Sequence, residues 1–328
     1  MRRPILTVAL GDPAGIGPEV AAKSLCLPEV SRRCRALAVG DAQSLSLRRL
    51  LFSARIRPIL NPAQARYEPG VIDVLHVPSA DFSRIRPGVP GPVGGENSFR
   101  AAVKAVELAA AGLAQGVVHA PISKLAWNMA GVRFPGHTEL LQKLCSVPSV
   151  AMAIAAGPLR TVLVTRHIPF SRVAAELDPG EIAETIRHAW NWMKALGLRR
   201  PRIGLCALNP HGGEKGLIGT EEIRILVPAV RRAEKALKAK ISGPWPADSA
   251  FRAHRDGEVD CLVTLYHDQS LIPLKLVGAE KLVNITLGLP FPRTSPGHGT
   301  AFDIAGKNRA DPGPMTEAIL TAARMCGR

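Results

Sequence analysis

The stretch TVLVTRH at residues 161–167 is a β-branched apolar run that leads directly into a histidine. Two further stretches repeat this design, IGLCALNPH at 203–211 and CLVTLYHD at 261–268. Short apolar runs of this kind are typical of buried strands. Along the chain they alternate with longer amphipathic segments rich in alanine and leucine, which predicts an α/β protein with a largely parallel sheet.

The same periodicity predicts elements over most of the chain. Strands are predicted at 6–10, 36–39, 116–119, 161–165, 203–208, 261–265 and 283–286. Helices are predicted at 18–25, 97–111, 123–130, 138–144, 179–196, 220–239 and 314–325. Residues 80–96 are rich in proline and glycine, and we expect them to form a loop.

Size and composition limit the class of protein. A chain of 328 residues with 46% apolar and 21% charged residues suggests a globular protein of two domains. No stretch approaches the roughly 18–20 apolar residues that span a bilayer, so no membrane partner is expected. The six cysteines form no C-x-x-C pair, which favours a reduced, cytoplasmic protein.

The formal net charge of +15 raises the question of an anionic partner. Aromatic residues make up only 4% of the chain, so stacking platforms for single-stranded nucleic acid are scarce. No helix-turn-helix, zinc-finger or RNA-recognition motif is present. We therefore expect a small anionic substrate or cofactor to benefit from the positive field, and no nucleic-acid partner.

The histidines that follow the three strands suggest a metal site. Ligands of parallel α/β sheets bind beyond the carboxyl ends of the strands, where His167, His211 and His267 can converge. Three imidazoles and an open position form a common catalytic site for a divalent ion. Zinc suits such ligands, and cobalt, nickel and magnesium stay open. The alternative is that each is an ordinary hydrogen-bonded loop histidine.

Other polar segments could bind an anion. Residues 11–19, GDPAGIGPE, follow a strand and open a helix, so their amides could cradle one, although Val20 breaks the G-x-G-x-x-G pattern. Thr138 is predicted to cap a helix, with His137 beside it. Arg293 stands among small hydroxyl residues. We expect the remaining histidines to be structural: His119, His76 and His188 packed within the fold, and His254 on the surface.

Six motifs together identify a family. They are GDPAGIGPE at 11–19, PGHTE at 135–139, LNPHGGE at 208–214, PADSAF at 246–251, YHDQ at 266–269, and GLPF with RTS at 288–295. In this order they resemble the 4-hydroxythreonine-4-phosphate dehydrogenases of vitamin B6 synthesis. In addition, HGTAFDIAG at 298–306 is similar to the adenosine-binding loop of the isocitrate/isopropylmalate dehydrogenase-like superfamily.

The resemblance implies a fold and an assembly. It implies an isocitrate/isopropylmalate dehydrogenase-like fold of two α/β domains with an interdomain cleft. Residues 1–128 and 260–328 would form the outer domain with the NAD loop, and residues 129–259 the central domain with the metal ligands and the dimer contacts. It also implies a homodimer whose active site is shared between the subunits.

The resemblance also implies the site residues and the reaction. The expected metal ligands are His167, His211 and His267; the substrate-binding residues are His137, Thr138, Lys275, Asn284 and Arg293; the cofactor-binding residues are Gly299, Thr300 and Asp303; and Asp248 and Asp268 are candidates for proton transfer or for orienting a ligand. The reaction would be NAD- or NADP-dependent oxidation of 4-phosphohydroxy-L-threonine to a 3-oxo acid, which decarboxylates to 3-amino-2-oxopropyl phosphate. Threonate or erythronate 4-phosphate is an alternative substrate, and a non-redox metal hydrolase is a further alternative.

Overall fold

The computed structural model describes residues 3–46, 54–134 and 136–327. Its strands are Ile5–Ala9 (β1), Arg35–Gly40 (β2), Arg55–Ile59 (β3), Val71–His76 (β4), Gly116–His119 (β5), Ala151–Ala156 (β6), Leu159–Leu163 (β7), Ile203–Cys206 (β8), Ile241–Trp245 (β9), Cys261–Thr264 (β10), Val283–Leu287 (β11) and Arg293–Pro296 (β12). Its helices are Gly17–Leu25 (α1), Pro28–Arg33 (α2), Ala42–Ser46 (α3), Pro92–Ala110 (α4), Lys124–Met129 (α5), His137–Cys145 (α6), Val173–Glu176 (α7), Pro179–Ala195 (α8), Val227–Leu237 (α9), Ala247–Arg255 (α10), His267–Gly278 (α11) and Gly313–Cys326 (α12).

The chain divides into two compact units. Unit 1 consists of Met1–Pro148 and Leu289–Gly327, and unit 2 of Ser149–Gly288. The limits expected from sequence, at 128/129 and 259/260, fall earlier in the chain. The difference arises because α6 packs against α4 in unit 1, whereas β10 and β11 pair with strands of unit 2. As a result unit 2 contains His267 as well as His167 and His211.

Unit 1 contains a parallel sheet in the order β3-β4-β2-β1-β5-β12. Its main apolar core joins Val39, Leu75 and Val117 of the sheet to Ala105 and Val106 of α4. The central strands β1, β2 and β5 are mainly apolar and mostly buried, as expected for inner strands of a parallel sheet, whereas the edge strand β3 is more exposed. Because β1 and β5 are parallel, their carboxyl ends lie at the same edge of the sheet, and His119 is the last residue of β5.

Unit 2 contains strands in the order β11-β6-β7-β10-β8-β9. The β7, β10, β8 and β9 strands are parallel, and β6 runs antiparallel to both of its neighbours. A core cluster packs Leu271 and Leu274 of α11 onto Ile154 and Leu163 of the sheet. This packing fixes which face of α11 is buried and leaves the other face exposed.

The α/β prediction is confirmed, with differences in detail. Each predicted strand and helix has a counterpart within a few residues. The predicted ranges leave out the strands β3, β4, β6, β9 and β12 and the helices α2, α3, α7, α10 and α11. Among these, β6 is alanine-rich, and the internal Pro273 of α11 argues against a helix. Part of the expected loop 80–96 is helical, because Pro92 occupies the first turn of α4, where its missing N–H costs no hydrogen bond.

Helix α8 begins where the sequence predicts. The Asp178 carboxylate accepts hydrogen bonds from the amides of Gly180 and Glu181 at 2.7 and 3.0 Å, and Pro179 takes the first helical position.

Among the described residues, no helix is both long and apolar enough to cross a membrane.

Candidate active site

Two of the three strand-end histidines lie together. Because β7 and β10 are neighbouring parallel strands, the segments that follow them leave the sheet at the same edge. The ring centroids of His167 and His267 are 5.5 Å apart, with planes tilted by 44°. This separation allows both imidazoles to approach one small ligand.

A carboxylate orients one of these rings. The Nδ1 atom of His267 lies 2.6 Å from Oδ1 of the exposed Asp268, so a neutral imidazole donates through Nδ1–H and keeps Nε2 as an acceptor. A carboxylate behind a histidine in this way is a common arrangement at metal sites, where it fixes the tautomer and the ring orientation. The chemistry of this pair therefore fits two ligands of a divalent ion.

His211 is not part of this pair within one chain. Over the described residues, no group of three or more His, Cys, Asp or Glu side chains is arranged to hold a metal ion. His211 is exposed, and its φ of 52° and ψ of 23° open a run of five residues with left-handed backbone, 211–215. Non-glycine residues rarely adopt this conformation, so surrounding contacts must stabilise it.

Glu222 holds the segment that leads into this run. This buried carboxylate accepts hydrogen bonds from the amides of Leu208 and Asn209 at 2.9 and 2.8 Å, and from Asn209 Nδ2 at 2.9 Å. A Cβ atom at Gly213 would lie 2.7 Å from its Oε2 atom, so the turn can approach only with glycine there. Sequence analysis missed Glu222, because acidic residues at a helix start have a simpler explanation in the helix dipole.

Unit 1 holds a second polar cluster at the carboxyl end of β5. Arg293 and His119 are both buried, and Arg293 Nε donates a hydrogen bond to His119 Nδ1 at 3.0 Å. Burial lowers the pKa of Arg293 to about 9. Burial, followed by the positive charge of Arg293, lowers the pKa of His119 well below its usual value, so that imidazole is neutral.

His137 completes this cluster. Its ring stacks on His119 with centroids 4.5 Å apart and planes 12° apart, and the Trp127 ring meets it edge-on at 5.3 Å. Burial, followed by the electrostatic influence of the neighbouring His119, Arg293 and Lys124, lowers the pKa of His137 well below its usual value. The cluster is therefore a cationic guanidinium beside neutral aromatic rings at the start of α6.

The remaining predicted substrate residues have different surroundings. Thr138 is half-buried and is the second residue of α6. The helix starts at His137, so Gly136 holds the cap position, and the expectation that Thr138 caps the helix is wrong. In unit 2, Lys275 is exposed on α11 and Asn284 is half-buried in β11. Asp248 is exposed in the first turn of α10.

The predicted cofactor loop packs against the glycine-rich segment in unit 1. The Ile16 amide donates to the Thr300 carbonyl at 3.0 Å, and a Cβ at Gly15 would lie 2.9 Å from that oxygen. Thr300 is buried, whereas Gly299 and Asp303 are exposed. Because the amides of Ala14, Gly15 and Ile16 donate within the protein, these three are not open to an anion and instead fix the segment against the loop.

His254 is buried, contrary to the surface position expected from sequence. Its Nε2 atom accepts a hydrogen bond from the Arg160 amide at 2.7 Å, and its Nδ1 atom lies 3.0 Å from the Val259 carbonyl. The histidine joins α10 to β7 through these bonds, and sequence periodicity contains no signal for such long-range pairing.

Three buried histidines and the half-buried His137 predict a pH-dependent stability. Burial is the largest cause that lowers the pKa of His119, His137, His188 and His254 from the ordinary 6.5. The unfolded chain therefore takes up protons first as the pH falls below about 6.5, and stability falls with it, by at most about 1.4 kcal/mol per pH unit and histidine.

The melting temperature should accordingly fall between pH 7 and pH 5. As a control, His254→Asn should reduce the slope of this fall by one histidine's share. A melting temperature that is constant over this range would contradict the assignment of neutral buried imidazoles.

The comparisons with known proteins extend over nearly the whole chain. The family model described as pyridoxal phosphate biosynthetic protein PdxA matches residues 32–322. A 4-hydroxythreonine-4-phosphate dehydrogenase of Beijerinckia indica is 43% identical, covering 98% of this chain and 94% of the relative. A D-threonate 4-phosphate dehydrogenase of Cupriavidus necator is 39% identical, covering 99% and 98%. The crystal structure of a 4-hydroxythreonine-4-phosphate dehydrogenase from Klebsiella pneumoniae has a TM-score of 0.91 at 39% identity, covering 98% and 99%.

The fold and these relatives define the chain as an α/β enzyme of the dehydrogenase class. It belongs to the family of the pyridoxal phosphate biosynthetic protein PdxA. The family resemblance inferred from the motifs is thereby confirmed.

Proposed function

We propose that the chain oxidises 4-phosphohydroxy-L-threonine with NAD or NADP to a 3-oxo acid, which decarboxylates to 3-amino-2-oxopropyl phosphate in pyridoxal 5′-phosphate synthesis. The observation that carries this proposal is the pair His167 and His267, with Asp268 behind it, at the strand ends. The names of the relatives from Beijerinckia indica and Klebsiella pneumoniae support the substrate.

A divalent ion, with zinc favoured and cobalt or magnesium as alternatives, would act as a Lewis acid that lowers the pKa of the substrate's secondary hydroxyl. His167, His211 and His267 would hold it. Asp268 accepts from the Nδ1–H of the neutral His267 ring, and this tautomer would leave Nε2 available as a ligand. Asp248 is the other candidate for proton transfer.

The substrate would be held by charge and by hydrogen bonds. Arg293 presents a guanidinium, the side chain best suited to a phosphate, and Lys275 adds an ammonium group. His137, Thr138 and Asn284 would bind the remaining polar groups. These contacts fix the position of the carbon whose hydride is transferred.

NAD or NADP would accept the hydride and bind at Gly299, Thr300 and Asp303. The support for this assignment is the way that Gly15 and Ile16 hold the Thr300 backbone. A loop fixed from behind can present its exposed residues to an adenosine with little loss of entropy on binding.

Exposed apolar residues support a homodimer that shares the site. On α11, which begins at His267, Ile272 is 66% exposed and Leu276 is 86% exposed; beyond His211, Leu217 is 91% exposed. Large apolar surfaces of this kind mark contact surfaces. Since both patches lie next to candidate ligands, we infer that His167 and His267 of one subunit are completed by His211 of the other.

The thiols support a cytoplasmic compartment. All six cysteines lie in the described residues, where they form no disulfide. Burial raises the pKa of Cys34 and Cys206 to about 12, which makes these thiols unreactive. We propose a cytoplasmic enzyme whose partners are its substrate, its cofactor and a second copy of the chain.

A second substrate class competes closely. The relative named for D-threonate 4-phosphate has nearly the same identity as the others. The two substrates differ at carbon 2, which bears an amino group in one and a hydroxyl in the other. A site built to hydrogen-bond one group discriminates strongly against the other.

The deciding experiment follows NAD(P)H formation by the purified enzyme with 4-phosphohydroxy-L-threonine and with D-threonate and erythronate 4-phosphates. We expect turnover with the first, loss on chelation and recovery on adding a divalent ion. Preference for a sugar-acid phosphate would establish the alternative. Undiminished activity of metal-free enzyme would overturn the metal assignment, and phosphatase activity without NAD binding would favour a hydrolase.

A further inference from the structure

We propose that His119 is a positioning residue that fixes both Arg293 and His137 for the phosphorylated substrate. The inference rests on the proposed function, which assigns those two residues to substrate binding. His119 itself has no place in the motifs, and from sequence it is expected only to pack.

The hydrogen bond to Arg293 follows from strand pairing. In the parallel pair of β5 and β12, Arg293 is opposite Val117, so His119 is two residues further along the same face of the sheet. His119 is therefore the diagonal neighbour of Arg293 on the adjacent strand, and Arg293 Nε lies 3.0 Å from His119 Nδ1. The two residues are 174 positions apart in the chain. Both residues are at most 2% exposed, so this bond is screened from water.

The protonation state of His119 decides what this bond does. Because Arg293 has no acceptor atoms, His119 must accept at Nδ1 and carry its proton at Nε2. Burial and the neighbouring guanidinium lower the pKa of His119, which keeps the ring neutral. A neutral acceptor orients the guanidinium and adds no negative charge beside it, whereas a carboxylate in the place of His119 would form an ion pair with Arg293 and compete with an anionic ligand.

The same ring orients His137. The two imidazoles are stacked 4.5 Å apart, and Trp127 closes the edge of His137. Trp127 is held in turn, since its Nε1 donates to Ser98 Oγ at 2.9 Å. Rings packed in this way lose little rotamer freedom when a ligand binds, which is the physical content of preorganisation.

Two substitutions separate the two contacts. His119→Asn keeps an acceptor, since Asn Oδ1 takes about the place of His Nδ1, and removes the ring. His119→Phe keeps the ring and removes the acceptor. We expect His119→Phe to raise KM for the phosphorylated substrate, and Kd for inorganic phosphate, about tenfold to hundredfold, the range for losing a hydrogen bond to a charged group. The value of kcat should change by less than about threefold, because this contact holds substrate and transition state alike.

We expect His119→Asn to retain phosphate affinity within about threefold, the residual effect of the lost ring contact with His137. His119→Leu also lacks the acceptor and carries the same expectation as His119→Phe, should the phenylalanine variant fail to fold. The matched control is His254→Asn, which removes an equally buried histidine of unit 2 and should lower only the melting temperature.

Arg293→Met separates the inference from the function on which it rests. If Arg293→Met loses phosphate affinity and folded His119→Phe or His119→Leu does not, the role of His119 is refuted and the proposed function stands. If Arg293→Met also binds phosphate like the parent enzyme, the phosphate site itself is refuted. If His119→Asn loses as much affinity as His119→Phe, the acceptor role is refuted.

Discussion

Replacing His211 by alanine should abolish NAD(P)H formation and leave the fold intact. The side chain is exposed in the left-handed turn and adds no core contact, so its removal should shift the melting temperature very little. Loss of one of three imidazole ligands should, by contrast, empty the metal site. Steady-state rates, metal content of the purified protein and thermal unfolding check the three expectations. A His211→Ala variant that keeps its metal and its rate would contradict the ligand role.

The shared site makes a sharper test possible. His211→Ala and His267→Ala chains should each be inactive alone, and should regain roughly a quarter of the parent activity when mixed and allowed to exchange subunits. About half of randomly paired dimers are mixed, and one of their two sites receives an intact His267 from one chain and an intact His211 from the other.

The matched control uses two residues of the same chain. His167 and His267 lie 5.5 Å apart within one chain, so a mixture of His167→Ala and His267→Ala chains should stay inactive. Recovery in this control would show that the two rings serve different sites. No recovery in the first mixture, despite subunit exchange, would place all three ligands within one subunit.

Leu276→Asp should give a monomer without dehydrogenase activity. The residue is 86% exposed on α11, so the charge costs the isolated chain little, but it would be buried unpaired in the proposed dimer contact. Sedimentation or light scattering measures the mass, and the coupled assay measures the rate. An active dimer would remove α11 from the interface.

Leu60→Asp provides the control for this substitution. Leu60 is 82% exposed in unit 1, directly after β3, and has no proposed partner. The same change of charge there should leave both mass and rate at the parent values. If both variants lose activity, the effect comes from added negative charge and not from the interface.

Much of the site could be predicted from local sequence. His167 and His267 follow apolar strands, so their position at strand ends could be predicted, and the structure then shows that these two strands are neighbours. The motifs around Asn209 and Tyr266 then identified the family. The same local reasoning failed at His254, which it placed on the surface, because the bond from the Arg160 amide joins positions 94 residues apart.

Local reasoning also missed what supports His211. The segment that leads into its left-handed turn is held by Glu222, a carboxylate that sequence alone assigns to a helix start. A strained turn costs free energy locally, and the compensating hydrogen bonds come from elsewhere in the chain. Neither the strain of the turn nor the hydrogen bonds that compensate for it can be recognised from composition or periodicity.

Residue periodicity is a local property of the sequence. It was sufficient to predict the α/β alternation, the strand ends, and the histidines that follow residues 161–166 and 261–266. Only the tertiary structure decided that His119, at the end of one strand, meets Arg293, at the start of another. Strand order and register create that contact, and a buried hydrogen bond with a stacked ring stabilises it. These depend on which strands are neighbours in the sheet, which the order of residues along the chain does not reveal.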